Sequence, residues 1–173
     1  MTWVFTYGSL MGDAVLGRYE ARPARLPGYH REFIHQSRRR WGTPDRPCPI
    51  LGLAPGGECW GIAFAVPAAD RGRISRALSR RETAGERRRE TVTIQTQDGD
   101  VPAWVWVTSG ARRAEDPATL EARLRAAHGI VGNGTEYVRT LVQALDLYSL
   151  RDPLVDDLWA RLGDMKDAAL HHG

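Results

Sequence analysis

Between Thr91 and Thr108 the chain alternates, turns and alternates again. Val92 and Ile94 lie on one face of the first run, and Thr91, Thr93 and Gln95 on the other. Asp98-Gly99 is a strong hairpin signal, because both residue types tolerate the positive φ such turns demand. Ala103 to Thr108 then returns with Trp104 and Trp106 on one face and Val105 and Val107 on the other. So short a connection allows only antiparallel pairing. Any fold for this chain must therefore contain an antiparallel sheet.

The rest of the chain divides around that hairpin. Residues 3–6 read as a strand, and so do 28–35. Residues 37–49 carry Gly42, Pro44, Pro47 and Pro49 and are expected as loop. Short strands are expected at 50–53 and 59–66, with Pro55-Gly56-Gly57 turning the chain between them as a hairpin. Asp70 to Arg81 has helical spacing through Ile74, Ala77 and Leu78. The last third is helical. Asp116-Pro117 caps one helix, which Gly129 ends; a second starts near Thr135 and a third after Asp152-Pro153. Strands with one inserted helix, followed by helices, make an α+β domain with a mixed or antiparallel, barrel-like sheet and flanking helices. The expected organisation is a single domain over 1–173, with roughly 149–173 as a C-terminal helical extension.

Composition narrows the class. Hydrophobic residues make up 42% and charged residues 26%, as in ordinary globular proteins. No apolar run reaches the length of a membrane span, and Met1-Thr2-Trp3 opens no signal sequence. A cytoplasmic protein without membrane association is expected. Cys48 and Cys59 form no CxxC, and the five histidines show no metal spacing; His171-His172 belongs to the chain end. The net charge is only +3, yet arginines bunch at 38–40 and from Arg71 to Arg89. Such bunching suits a solvated face, a nucleic acid or a small anion.

Three stretches carry chemistry. Glu82 follows Leu78 by four residues and Ile74 by eight, so a continuing helix puts its carboxylate on the apolar face. Burial there raises a carboxylate's pKa and suits it to general acid/base work. A helix that stops earlier would leave Glu82 exposed or paired with Arg80 or Arg81. Tyr7-Gly8-Ser9-Leu10 leaves the first strand and is either a plain turn or a nest of backbone N–H groups for an anion, with Ser9 adding a hydroxyl. In Asn133-Gly134-Thr135-Glu136-Tyr137, Asn133 or Thr135 caps a helix, and Tyr137 either packs or sends its hydroxyl into a pocket.

In order and spacing over about residues 2 to 148, these stretches resemble the ChaC-like γ-glutamylcyclotransferases. The resemblance runs through WVFTYGSLMG, ARLPGYHREF, GTPDRPCPILGLAPGGECWGIAF, LSRRE and GNGTEYV. It implies that family's small mixed barrel and a cofactor-free, metal-free reaction. In that reaction a γ-glutamyl compound, glutathione for this branch, is split into 5-oxoproline and Cys-Gly. It implies that Glu82 is the general acid/base, that Tyr7, Gly8, Ser9 and Leu10 hold the γ-glutamyl group, and that Tyr137 lines the pocket. No nucleic-acid partner is expected, since the chain lacks an RNP motif, a KH loop and a zinc knuckle. The chain departs from the family at two places. Trp41 stands where the family often has arginine, and Thr83 to Arg87 replaces a usual Gly-Gly-Tyr. Glu86 there becomes a rival base. These changes keep two alternatives open: a different γ-glutamyl amine as substrate, or a non-catalytic arginine-rich binding module.

Overall fold

The computed structural model describes residues 1–83, 87–108 and 113–170. Ala84, Gly85 and Glu86, and with Glu86 the rival base, lie outside the described residues, as do His171 and His172. Five strands close into a barrel: β1 (Thr2–Thr6), β2 (Glu20–Ser37), β3 (Cys48–Val66), β4 (Arg87–Thr96) and β5 (Gly99–Thr108). Around the barrel the order is β1-β3-β2-β4-β5. All neighbours are antiparallel except β1 and β5, which close the ring in parallel with Trp3 opposite Ala103. Closure satisfies edge N–H and C=O groups that an open sheet would expose. It also buries β5 on both faces, so Ala103 to Val107 is covered throughout.

Four helices complete the described chain: α1 (Arg71–Thr83), α2 (Pro117–Ala126), α3 (Gly134–Leu147) and α4 (Pro153–Leu170). α1 lies against β4, while α2, α3 and α4 pack on one another. Each of the last three has a local start signal. Asp116 accepts from Thr119 N–H, and Asp152 from the N–H groups of Leu154 and Val155. Asn133, rather than Thr135, caps α3, in a reciprocal box with Glu136 at 2.8 Å each way. α2 stops at Ala126, so Gly129 lies beyond its end, in the turn that follows. α4 buries Val155, Leu158 and Leu162. Among the described residues no helix is long and apolar enough to cross a membrane.

The α+β barrel agrees with the sequence reading, but two of its strands do not. Residues 55–57 do not make a hairpin turn. β3 runs unbroken from Cys48 to Val66 and pairs with β2 along nearly its whole length. Gly56 and Gly57 have φ of 102° and 68°, and Gly28 opposite them has φ of 86°. Together they shift the register between Pro27 and Tyr29 and bend the ladder without reversing it. β2 in turn starts at Glu20, not at Gly28, despite Pro23 and Pro27. Its other side meets β4 only at Arg25↔Gln95, so there is little ladder there for a missing N–H to interrupt. The β4–β5 hairpin is present with Gln97-Asp98 as its turn, and Gly99 (φ 117°) begins β5.

Candidate active site

The first strand ends against the barrel and the chain leaves it through Tyr7 and Gly8 into a single 3-10 turn, Ser9–Gly12. α3 packs on that turn. α1 runs on past Arg81 to Thr83, so Glu82 is helical and only 6% exposed. These three elements, with β3 and β5, line a small pocket. Tyr7, Gly8, Ser9, Leu10, Glu82 and Tyr137 all line it. Residues 130 positions apart in sequence thus meet at one cavity. Ile50, Leu51, Arg87 and Trp106 complete much of the wall.

Glu82 combines two situations that the sequence left as alternatives. It is buried on the helix's inner face and it is also paired, chiefly with Arg87. Arg87 Nη1 donates to Glu82 Oε2 at 2.6 Å, and Arg81 Nε lies 3.9 Å from Oε1. Arg87 Nη2 donates to Leu51 O at 2.5 Å. Burial works against the charge on Arg87, but Tyr7, Glu82 and Tyr137 outweigh it, and its pKa lies above arginine's ordinary value. Arg87 is a residue the sequence reading missed. Its only signal was a position five residues after Glu82, across the turn from α1 into β4.

The two tyrosines are anchored through their hydroxyls. Tyr7 donates to Trp106 O at 2.8 Å, and burial pushes its pKa up to about 12. Tyr137 accepts from Leu51 N at 2.9 Å, which leaves its own O–H proton free to donate. Burial raises its pKa as well. A Cβ on Gly8 would lie 3.8 Å from Tyr137 Oη, so the loop and the phenol face each other closely. The rings of Phe33 and Trp41 hold Tyr137 edge-on, with centroids 6.5 and 5.4 Å away.

A further set of contacts fixes the loop. Arg31, buried in β2, donates through Nε to Tyr7 O at 2.8 Å and through Nη1 to Asp152 Oδ2 at 2.9 Å. The start of α4 is thereby tied to the loop. Arg81 bonds Asp13 and reaches Ser9 Oγ at 3.1 Å. Inside the pocket wall, Arg87 Nε and Trp106 Nε1 are buried donors without a protein acceptor. Such donors are rare in native structures and suit a ligand carrying an oxygen.

The arginine bunching also resolves. Arg71 and Arg89 stack over Trp104, Arg73 pairs with Asp70, and Arg88 with Glu90. Arg38, Arg39, Arg40, Arg80, Arg81 and Arg87 instead line a second cavity that adjoins the first. Among the described residues no three His, Cys, Asp or Glu side chains gather as metal ligands would.

Comparison with known proteins places this geometry. The family model described as ChaC-like protein matches residues 2–165. The chain is 27% identical over 162 residues to the glutathione-specific γ-glutamylcyclotransferase of Escherichia coli (strain K12), covering 90% of this chain and 70% of that one. It is 28% identical over 170 residues to γ-glutamylcyclotransferase 2-3 of Arabidopsis thaliana, covering 90% and 85%. The fold matches a crystal structure of a yeast γ-glutamyl cyclotransferase specific to glutathione, with TM-score 0.84 at 18% identity over 94% of this chain and 96% of that one. With its family model matched over almost the whole length, the chain belongs to the ChaC-like protein family.

Proposed function

We propose that this protein is a γ-glutamylcyclotransferase that splits glutathione into 5-oxoproline and Cys-Gly, with Glu82 as general acid/base. The observation that carries the reading is a buried carboxylate on the wall of the pocket formed by the Tyr7–Leu10 loop and Tyr137. The substrate supplies its own nucleophile, so the protein's first task is to fold the γ-glutamyl chain into a ring-closing conformation. A small pocket walled by the loop, α1 and α3 does that. The first-turn N–H groups of Ser9 and Leu10 have no acceptor within their short helix and are available to the γ-glutamyl group.

In the reaction Glu82 takes a proton from the α-ammonium. The freed nitrogen attacks the γ-carbonyl carbon, whose π electrons move onto oxygen. Glu82 returns that proton to the leaving nitrogen, and the ring nitrogen gives up its second proton, again by way of Glu82, to the same nitrogen, so that the amide C–N bond breaks, the carbonyl re-forms and the amine departs as an ammonium. The developing oxyanion needs preorganised donors. Trp106 Nε1 and Arg87 Nε are buried donors of that kind, and Tyr137 O–H is a third. Arg87 also keeps Glu82 in place.

The same reading takes residues 1–173 as one catalytic unit, because the Arg31–Asp152 pair ties α4 to the substrate loop. It sets the reaction in the cytoplasm, where two buried, unpaired thiols are at home. The test is release of 5-oxoproline from glutathione by wild type and Glu82→Gln. Wild-type turnover with a loss of about 10²–10⁴-fold in the folded variant is expected. Full activity in Glu82→Gln would remove Glu82 from its role. A folded wild type that releases no 5-oxoproline would remove glutathione as substrate.

A further inference from the structure

The inner pocket adjoins a second, larger cavity of about 580 Å³, and the two share Ser9, Ile50, Glu82 and Arg87. On the cyclotransferase reading, on which this inference rests, the leaving amine must extend into that second space. Glu82 returns the proton to the leaving nitrogen, and Glu82 stands on the shared wall.

The wall of the second cavity is unbalanced in charge. Six arginines line it: Arg38, Arg39 and Arg40 from the β2–β3 loop, Arg80 and Arg81 from α1, and Arg87 from β4. Asp13 neutralises Arg81 and Glu82 neutralises Arg87. Among the described residues Arg38, Arg39, Arg40 and Arg80 have no carboxylate partner. The loop that carries three of them is pinned. Arg39 O and Arg40 O accept from Ile130 N and Val131 N at 2.9 and 2.8 Å, and Trp41 packs on the Tyr137 ring. Trp41 is only 7% exposed, and its Nε1 is buried without an acceptor; Arg40 Nε is buried and unpaired as well. Burial and the charge of Arg81 lower the pKa of Arg40 from arginine's ordinary value, against the opposing pull of Asp13 and Glu82. Arg38, Arg39 and Arg80 are exposed, but a wholly solvated face would not hold the orphaned donors of Arg40 and Trp41 in a fixed loop.

We infer that this cavity is a subsite for an anionic group on the leaving amine, and that a leaving amine with two negative charges is held better than one with a single carboxylate. Four unneutralised guanidinium groups exceed what one carboxylate can satisfy, even with a bidentate pair.

The subsite is tested apart from the chemistry by calorimetric titration with three dipeptides: Cys-Gly, its C-terminal amide and Cys-Glu. Cys-Glu should bind tightest and the amide weakest, with about tenfold or more between them at low salt. Arg40→Gln with Arg80→Gln should erase the ranking, and Arg40→Lys with Arg80→Lys should keep most of it. Equal binding of the three, or a ranking that survives the glutamine substitutions, overturns the subsite. Release of 5-oxoproline from glutathione reports on the reaction separately. Turnover without charge ranking leaves the cyclotransferase standing and removes the subsite. Charge ranking without turnover keeps the anion subsite and removes glutathione as the substrate. In an active enzyme the glutamine substitutions should raise KM for glutathione and leave kcat nearly unchanged.

Discussion

Arg87 Nη1 lies 2.6 Å from Glu82 Oε2, and both side chains are almost fully covered, at 10% and 7% exposure. One comes from the end of α1 and the other from the start of β4. A buried pair of this kind is costly to break, because the partner left behind is a buried charge without compensation. Arg87→Gln should therefore lower stability by about 3 kcal/mol. Glu82→Gln with Arg87→Gln should cost less than the sum of the single substitutions, by about 1–3 kcal/mol. Urea unfolding of the four proteins measures this, and strict additivity would show that the pair does not act as a unit.

Tyr7 links the pocket to alkaline stability. Burial raises its pKa from 10.0 to about 12 in the folded protein. Its contribution is fully present below the unfolded value, near pH 10, and is lost as pH rises through about 12, a difference of about 2–3 kcal/mol. Wild type should lose stability steeply over that window. Tyr7→Phe, which cannot ionise, should show a shallower decline, after losing about 1 kcal/mol at neutral pH with the bond to Trp106 O. Unfolding midpoints from about pH 9 to 12 compare the two. Parallel curves would show that Tyr7 does not titrate in this way.

Gly61 sits where β3 passes the end of β1. A Cβ there would overlap Thr6 O and come within 2.8 Å of the Phe5 ring. Gly61→Ala should cost about 1–3 kcal/mol through overpacking. Because Phe5 and Thr6 lead directly into the Tyr7–Leu10 loop, the substitution should also raise KM for the γ-glutamyl substrate. A thermal melt and the product assay, run on the same preparation, check both. An unchanged melting temperature would mean that the strands separate freely at this point.

Some of the site was legible in residue spacing. The interval from Ile74 through Leu78 to Glu82 carried the carboxylate inward, and the structure continues the helix far enough to make that spacing count. Asn133 and Glu136 announce the start of α3, and with it the position of Tyr137. Arg87 was not legible, since nothing in its neighbourhood marks it among the adjacent Arg88 and Arg89. Its difference from them is that its side chain turns inward to Glu82 and Leu51 O, while Arg88 and Arg89 are exposed. The Pro55-Gly56-Gly57 stretch misled for a related reason. Positive φ serves a bend as well as a reversal, and the partner strand decides between them.

What the amino-acid sequence determined by itself is local: the helix starts at Asp116 and Asp152 and close to Thr135, the β4–β5 hairpin, and the inward face of α1. Each depends on bonds or spacings within a few residues, where the chain has few alternatives. Tertiary structure alone decided the unbroken β2–β3 ladder, the parallel closure of β1 on β5, and the division of the arginines between aromatic stacking, ion pairs and the second cavity. Those outcomes depend on strand pairing and burial between residues tens of positions apart, which no local pattern encodes.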